Sequence, residues 1–308
     1  MSSDIEGLTD GRWLVIARKE FADTIRSKVL WILSVLFVSV FALPAALAQY
    51  FDIGQFIQSQ TGQQVTTNLL AQQTSRLASA LVPIIAIAVA YAAITREREK
   101  GSLKLLLSLP HTRADVVVGK VVGRSGVVAV PIAVGMLITM AVVLPTQIAF
   151  KAGGFVTFAL LTMLLGVAFV GLSVGVSAAT STSRRSMVGT VGLFVYFYLF
   201  WNSFARGVGQ LLKDHAGIAT DTQLHVTLFL KLLNPTQAYQ TLLTSALGTE
   251  TYVARARMFS GLMGQIVAQQ LKGSLPFYLG DGMALAILLA WLVVPVALGY
   301  VVFQAADL

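Results

Sequence analysis

The chain has 308 residues, 56% of them hydrophobic and only 12% charged, with a mean hydropathy of +0.76 and a formal net charge of +8. A soluble domain carries about 25% charged residues, so this composition excludes one and defines a polytopic membrane protein. The basic surplus requires no nucleic acid, because basic loops facing anionic lipid give the same balance, and the absence of cysteine excludes disulfides and thiolate metal sites.

Residues 1–28 precede any span. The first thirteen lack the basic-then-apolar order of a cleaved signal peptide, so the first span is expected to act as an uncleaved signal-anchor. Within Arg12–Lys28, the residues Leu14, Ala17, Phe21 and Ile25 fall on one helical face, with Arg18, Lys19, Asp23 and Arg26 mostly elsewhere. This pattern predicts an amphipathic helix lying in the cytoplasmic interface; a plain extension of the first span is the alternative. Residues 29–308 form the membrane domain. Val29–Ala48 is an apolar run of the length that crosses about 30 Å of hydrocarbon, and its Pro44 is tolerable in a span. The Gln- and Thr-rich stretch 49–76 is read as external and partly helical. Leu77–Thr95, with Pro83, is the second span.

The charged stretch Arg96–Arg124 carries seven Lys and Arg residues against Glu97, Glu99 and Asp115. A basic loop of this kind stays on the cytoplasmic side. Inside it, Ser102–Leu109 can form a short helix with Leu103, Leu106 and Leu107 at helical spacing. Gly101 precedes it, Ser102 serves as N-cap and Pro110 stops it. Thr112 opens the next helix with Asp115 three residues on, a capping box in its aspartate form. The ordinary reading is that the leucines rest on headgroups; the sharper one is a helix presented to a partner.

The residues Glu97, Gly101, Ser102, Leu103, Leu106, Leu107, Pro110 and Arg113, followed by Gly119-Lys120, make the pattern E-x-x-x-G-S-L-x-x-L-L-x-x-P-x-x-R with a trailing G-K. This resembles the first cytoplasmic loop of type-2 ABC transporter permeases (the ABC-2 family). The resemblance implies that segment 96–115 is a coupling loop docking on a separate ABC ATPase, with Glu97 and Arg113 flanking the contact. It also implies that the N-terminal amphipathic helix is an elbow helix that contacts the ATPase. ATP and magnesium would belong to that ATPase and no cofactor to this chain.

Val116–Leu144 is the third span, long and interrupted by Pro131. Gly119 and Gly123, four apart near its start, allow close helix approach. A short turn leads to the fourth span, Phe155–Ala179, where Gly171 and Gly175 repeat the spacing. The basic turn TSTSRRS precedes the fifth span, Met187–Phe204, which ends in an aromatic cluster read as an interfacial belt. Segment 206–281 is external: loop-like over Gly207–Thr222, then a helical hairpin pivoting at Asn234-Pro235, where Asn caps and Pro opens a helix running to about Leu247, then an amphipathic helix over Thr251–Lys272. Gly282–Ala305 is the sixth span. The hairpin resembles that of permeases in the copper and nitrous-oxide-reductase-maturation branch of the family. Even parity puts both termini in the cytoplasm. The charge bias agrees: five Lys and Arg before the first span, seven in the charged stretch and two in TSTSRRS.

Some chemistry is excluded. No G-x-x-x-x-G-K-[ST] occurs, so nucleotide binding by that route is absent and no catalytic residue is assigned. His111, His215 and His225 are scattered in loops. Met136 and Met140 lie one turn apart and two thioethers can hold Cu(I), but packing is the commoner use, so no metal site is assigned. No Asp or Glu falls inside an expected span, which weighs against an ion-coupled carrier. The sequence thus leads to an all-α, six-span permease subunit of an ABC transporter in the plasma membrane. It would work with an ATPase subunit, a second permease copy and membrane lipid, exporting an unspecified substrate. The alternative is an ATP-independent scaffold or assembly factor for a metalloenzyme.

Overall fold

The computed structural model describes residues 11–25, 28–52, 55–56, 59–60, 62, 64–108, 112–146, 148–273 and 275–306. The helices, in order, are α1 (Arg12–Ile25), α2 (Lys28–Tyr50), α3 (Thr67–Ala90), α4 (Thr95–Glu99), α5 (Ser102–Ser108), α6 (Arg113–Val143), α7 (Ala152–Ala179), α8 (Ser183–Val195) and α9 (Trp201–Ala216), then α10 (Thr220–Leu232), α11 (Pro235–Ala246), α12 (Thr251–Ala256), α13 (Leu262–Leu271) and α14 (Asp281–Ala305). Among the described residues six helical stretches are long and apolar enough to cross a membrane. The only β pairing among them is one isolated bridge between Thr66 and Ala149.

Capping residues set several helix starts. Thr66 accepts from the Leu69 amide and Thr182 from the Arg185 amide. Thr112 and Asp115 make the expected capping box in both directions. Asn234 accepts from the Thr236 amide ahead of Pro235.

α6 and α7 form the centre. α1 and α2 pack on α6, while α3, α11 and α14 pack on α7. The core runs through Phe37, Val82, Val128, Ile132, Leu165, Phe169 and Leu288. α11 is inserted among α3, α7 and α14. Its Tyr239 is fully buried, with its hydroxyl 2.9 Å from Thr162 Oγ1 of α7, and burial raises its pKa. Segment 206–281 is stapled to the start of α14 by Arg255, whose guanidinium meets Asp281 at 2.9 Å and the Leu279 carbonyl at 2.8 Å. The other carboxylate oxygen of Asp281 accepts from Ser245 and Thr251.

Three expectations need correction. The second span starts ten residues before Leu77. The polar turn there is helical because Thr67, Thr74 and Ser75 are buried within the chain rather than left to solvent. It also ends at Ala90, with a turn before Thr95. The fifth span does not stop at Phe204. It runs from Ser183 through a π-helical turn, Tyr196–Phe200, to Ala216, where Gly217 closes it at φ +62°. The glycines that read as loop have another use: a Cβ at Gly209 would stand 2.2 Å from Thr227 Oγ1, so Gly209 lets α10 lie close against α9. The helix expected over Thr251–Lys272 is two, broken at Arg257–Gly261, with Gly261 at φ +63°. In α1, Leu14 is 53% exposed, and Ile16, Ala17 and Glu20 are the buried residues.

Candidate functional site

The charged loop begins where α3 ends. After Ala90 the chain turns through Tyr91–Ile94 into α4, and this turn is fixed to α7. The amides of Ile94 and Thr95 donate to Ser177 Oγ at 3.1 and 3.2 Å. Arg98 donates to the Thr180 carbonyl at 3.1 Å. Glu99 accepts from the amide and hydroxyl of Ser183 at 2.8 and 2.7 Å. The basic turn between α7 and α8 is therefore clamped to α4.

Four charges meet behind α4. Lys120 Nζ lies 2.7 Å from Glu20 and 2.8 Å from Glu97, and Arg124 reaches Glu20 at 2.7 Å. Arg124 also donates to the Val89 carbonyl at 2.9 Å. The Lys120 side chain is 1% exposed. A buried ammonium needs compensating anions, and these two carboxylates supply them from two different elements. Burial by itself would raise the Glu20 pKa, but the charges and hydrogen bonds of Lys120 and Arg124 outweigh it and hold the carboxyl below its usual range. One cluster thus ties α1, α4 and α6 together and touches the end of α3.

The glycines open the space for this contact. A Cβ at Gly119 would lie 2.7 Å from Ile16 Cβ and 2.8 Å from the Trp13 carbonyl; one at Gly123 would lie 2.7 Å from Glu20 Cβ and 2.8 Å from the Ala17 carbonyl. The Gly119/Gly123 face therefore packs on α1. The Gly171/Gly175 face packs on α14: added Cβ atoms would meet the carbonyls of Leu292 and Pro295 at 2.6 and 2.2 Å.

The remaining loop residues divide by direction. Gly101 is exposed at φ +72°, and Ser102 opens α5 with its hydroxyl 3.4 Å from the Glu97 carbonyl. Leu103 is 1% exposed and Leu106 half-buried, both belonging to the chain's own core. Leu107 follows on the same helix, and Pro110 lies outside the described residues. Arg113 faces the end of α14, donating to the carbonyls of Phe303, Gln304 and Ala306 with its guanidinium over the Phe303 ring. That is a cationic cap on a helix C-terminus. Arg96, Lys100, Arg184 and Arg185 stay exposed at this end.

Sequence reading missed the Glu20–Lys120–Glu97–Arg124 cluster. The available signal was Lys120 and Arg124 one turn apart inside an otherwise apolar span, a placement that demands partners. The partner residue, Glu20, lies 100 positions away and no local pattern marks it.

A strand-poor bundle of six apolar helices, with a charged loop ion-paired into its centre, defines a polytopic helical membrane protein of transporter type. The chain belongs to the ABC-2 family: residues 14–308 match the profile described as ABC-2 family transporter protein. It is similar to the probable ABC transporter permease protein NosY of Pseudomonas aeruginosa, 31% identical over 229 residues that cover 73% of this chain and 78% of that one. It is also similar to the probable ABC transporter permease protein NosY of Stutzerimonas stutzeri, 29% identical over 293 residues, covering 94% and 96%.

Proposed function

We propose that this chain is the membrane-spanning permease subunit of an ABC transporter, working as two copies with separate ATPase subunits to export a substrate. The charged-loop end faces the cytoplasm, and α4–α5 with its exposed basic rim is the surface on which the ATPase docks. The family membership supports this reading, and the observation that carries the coupling role is the ion cluster. A push on α5 is delivered through α4 to Lys120 on α6 by Glu97, and to α7 by the Thr95–Ser177 contacts. α5 joins α4 through the Lys100–Gly101 turn, braced by the Ser102 hydroxyl on the Glu97 carbonyl, so closure of the ATPases moves the second, third and fourth spans together. Leu103 is already buried in the bundle, so the exposed part of Leu106 is the apolar area such a contact would cover, worth less than the about 1.5–3 kcal/mol of a fully buried side chain.

The test uses the chain expressed with its ATPase. Leu106→Asp is expected to weaken co-purification of the ATPase and to uncouple hydrolysis from transport. Because Leu106 also touches the bundle, Lys100→Glu, exposed and remote from the core, is the companion variant. It should lower ATPase association several-fold with an unchanged melting temperature. Full association and normal hydrolysis in both variants would refute the docking role. A chain that functions with no ATPase bound would instead favour the scaffold.

A further inference from the structure

At the end opposite the charged loop, a cleft of about 520 Å³ opens between the start of α3 and the α12–α13 break. A smaller cavity of about 120 Å³ between α3 and α11 adjoins it, and both share Arg76 and Arg257 as walls. Ligand cavities run to roughly 300–1,000 Å³, so the larger cleft is of a size to hold a small molecule or a lipid headgroup.

The electrostatics are one-sided. No Asp or Glu among the described residues lines either cavity. Among the described residues Arg76 makes no ion pair, and Arg257 makes only a 3.3 Å hydrogen bond to the amide oxygen of Gln72. Two other cations of this segment are engaged elsewhere: Arg255 is fully buried against Asp281, and Lys231 donates to the Met258 carbonyl at 2.7 Å. Arg76 and Arg257 are both exposed and line both cavities, so an anion seated there would offer paired acceptors to the guanidinium forks. Gln240 and Gln265, with Ser260, add neutral hydrogen-bonding groups to the walls, and Gln72 holds Arg257 in place. The break at Arg257–Gly261 gives the cleft its depth, since a continuous helix would run straight past α3.

We infer that this cleft is a binding site for an oxyanion group of phosphate type, carried either by a small soluble molecule or by a lipid headgroup. The site does not depend on the ATPase reading. It sits on the helix that leads, through the Tyr91–Ile94 turn, into α4 of the charged loop.

The experiment uses the purified full chain. In one arm, sn-glycerol 3-phosphate is titrated at low ionic strength. In the other, native mass spectrometry counts phosphatidylglycerol retained over phosphatidylcholine. Arg76→Gln and Arg257→Gln are compared with Lys213→Gln, which removes an exposed charge away from the cleft. If the anion is soluble, glycerol phosphate binds saturably and each arginine variant weakens it about tenfold or more, while Lys213→Gln binds as wild type. If it is a headgroup, glycerol phosphate shows no binding, and the preference for phosphatidylglycerol falls in both arginine variants only. No binding in either arm, or equal losses in Lys213→Gln, overturns the assignment.

Discussion

Glu20 answers two cations at once, and its energetics can be read from its neighbours. The lowered pKa means that Glu20 stabilises the fold while ionised in both folded and unfolded chains, that is, above the usual glutamate value of 4.5. As pH falls below that value the unfolded chain takes up the proton first, and the contribution is lost down through the folded pKa. At pH 7 Glu20→Gln should cost about 1–3 kcal/mol, because Lys120 keeps Glu97 as a partner. The melting-temperature gap between wild type and Glu20→Gln should shrink between pH 5 and pH 3.5; a constant gap would show that the carboxylate charge is not what matters. Lys120→Met is the harsher change, leaving Glu97 without its cation and Glu20 with Arg124 alone, at about 3–5 kcal/mol. Lys231 shows the opposite logic. Desolvation, with nearby Arg206 adding to it, pushes its pKa down to about 8, and a carbonyl and the Phe259 ring at 3.9 Å are its compensation.

Helix contacts here are decided by which glycines face backbone. A Cβ on Gly175 would stand 2.2 Å from the Pro295 carbonyl, and one on Gly299 would stand 2.1 Å from the Gly175 carbonyl. Carbonyls cannot swing aside as a side-chain end can, so Gly175→Ala should destabilise the α7–α14 pair by about 1–3 kcal/mol. Gly192 meets nothing within 4 Å, so Gly192→Ala should be neutral or gain about 0.5–1 kcal/mol from helix propensity. Thermal unfolding of the two variants in one detergent checks the contrast, and equal effects would mean that the close α7–α14 approach is not formed. The same distinction explains what was legible beforehand. Apolar runs located all six spans, and Thr112–Asp115 and Asn234-Pro235 marked their helix starts because capping is local chemistry. The outer ends of α3 and α9 were not legible, since polar turns such as Thr67–Arg76 stay helical through contacts made elsewhere in the chain. Gly209 reads as a breaker until α10 is placed beside it. The loop's outward charges were visible in sequence, whereas the inward pairing of Lys120 with Glu20 depends on the fold.

For the whole molecule, six crossings require that α1, the α4–α5 loop, the α7–α8 turn and the C-terminal end of α14 share one side. The contacts agree. Glu20 of α1 and Glu97 of α4 meet on Lys120, Glu99 holds Ser183 at the start of α8, and Arg113 caps the carbonyls at the end of α14. Parity alone had placed the C-terminal tail, and Arg113 now gives it a physical tie. Which side this is follows from charge. The exposed Arg18, Lys19, Arg96, Lys100, Arg184 and Arg185 crowd short segments at this end, while the basic residues at the other end are spread along a far longer one. Basic residues in short loops are retained in the cytoplasm, so this end should face inward and the loop between α11 and α12 outward. The chain has no cysteine, so each introduced thiol is a single reporter. With intact cells and a membrane-impermeant maleimide, Thr249→Cys should label, and Lys100→Cys should label only after the membrane is opened. The reverse pattern would invert the molecule and place α4–α5 where no cytoplasmic ATPase could reach it. Labelling of both from outside would break the even parity on which the six-span reading stands.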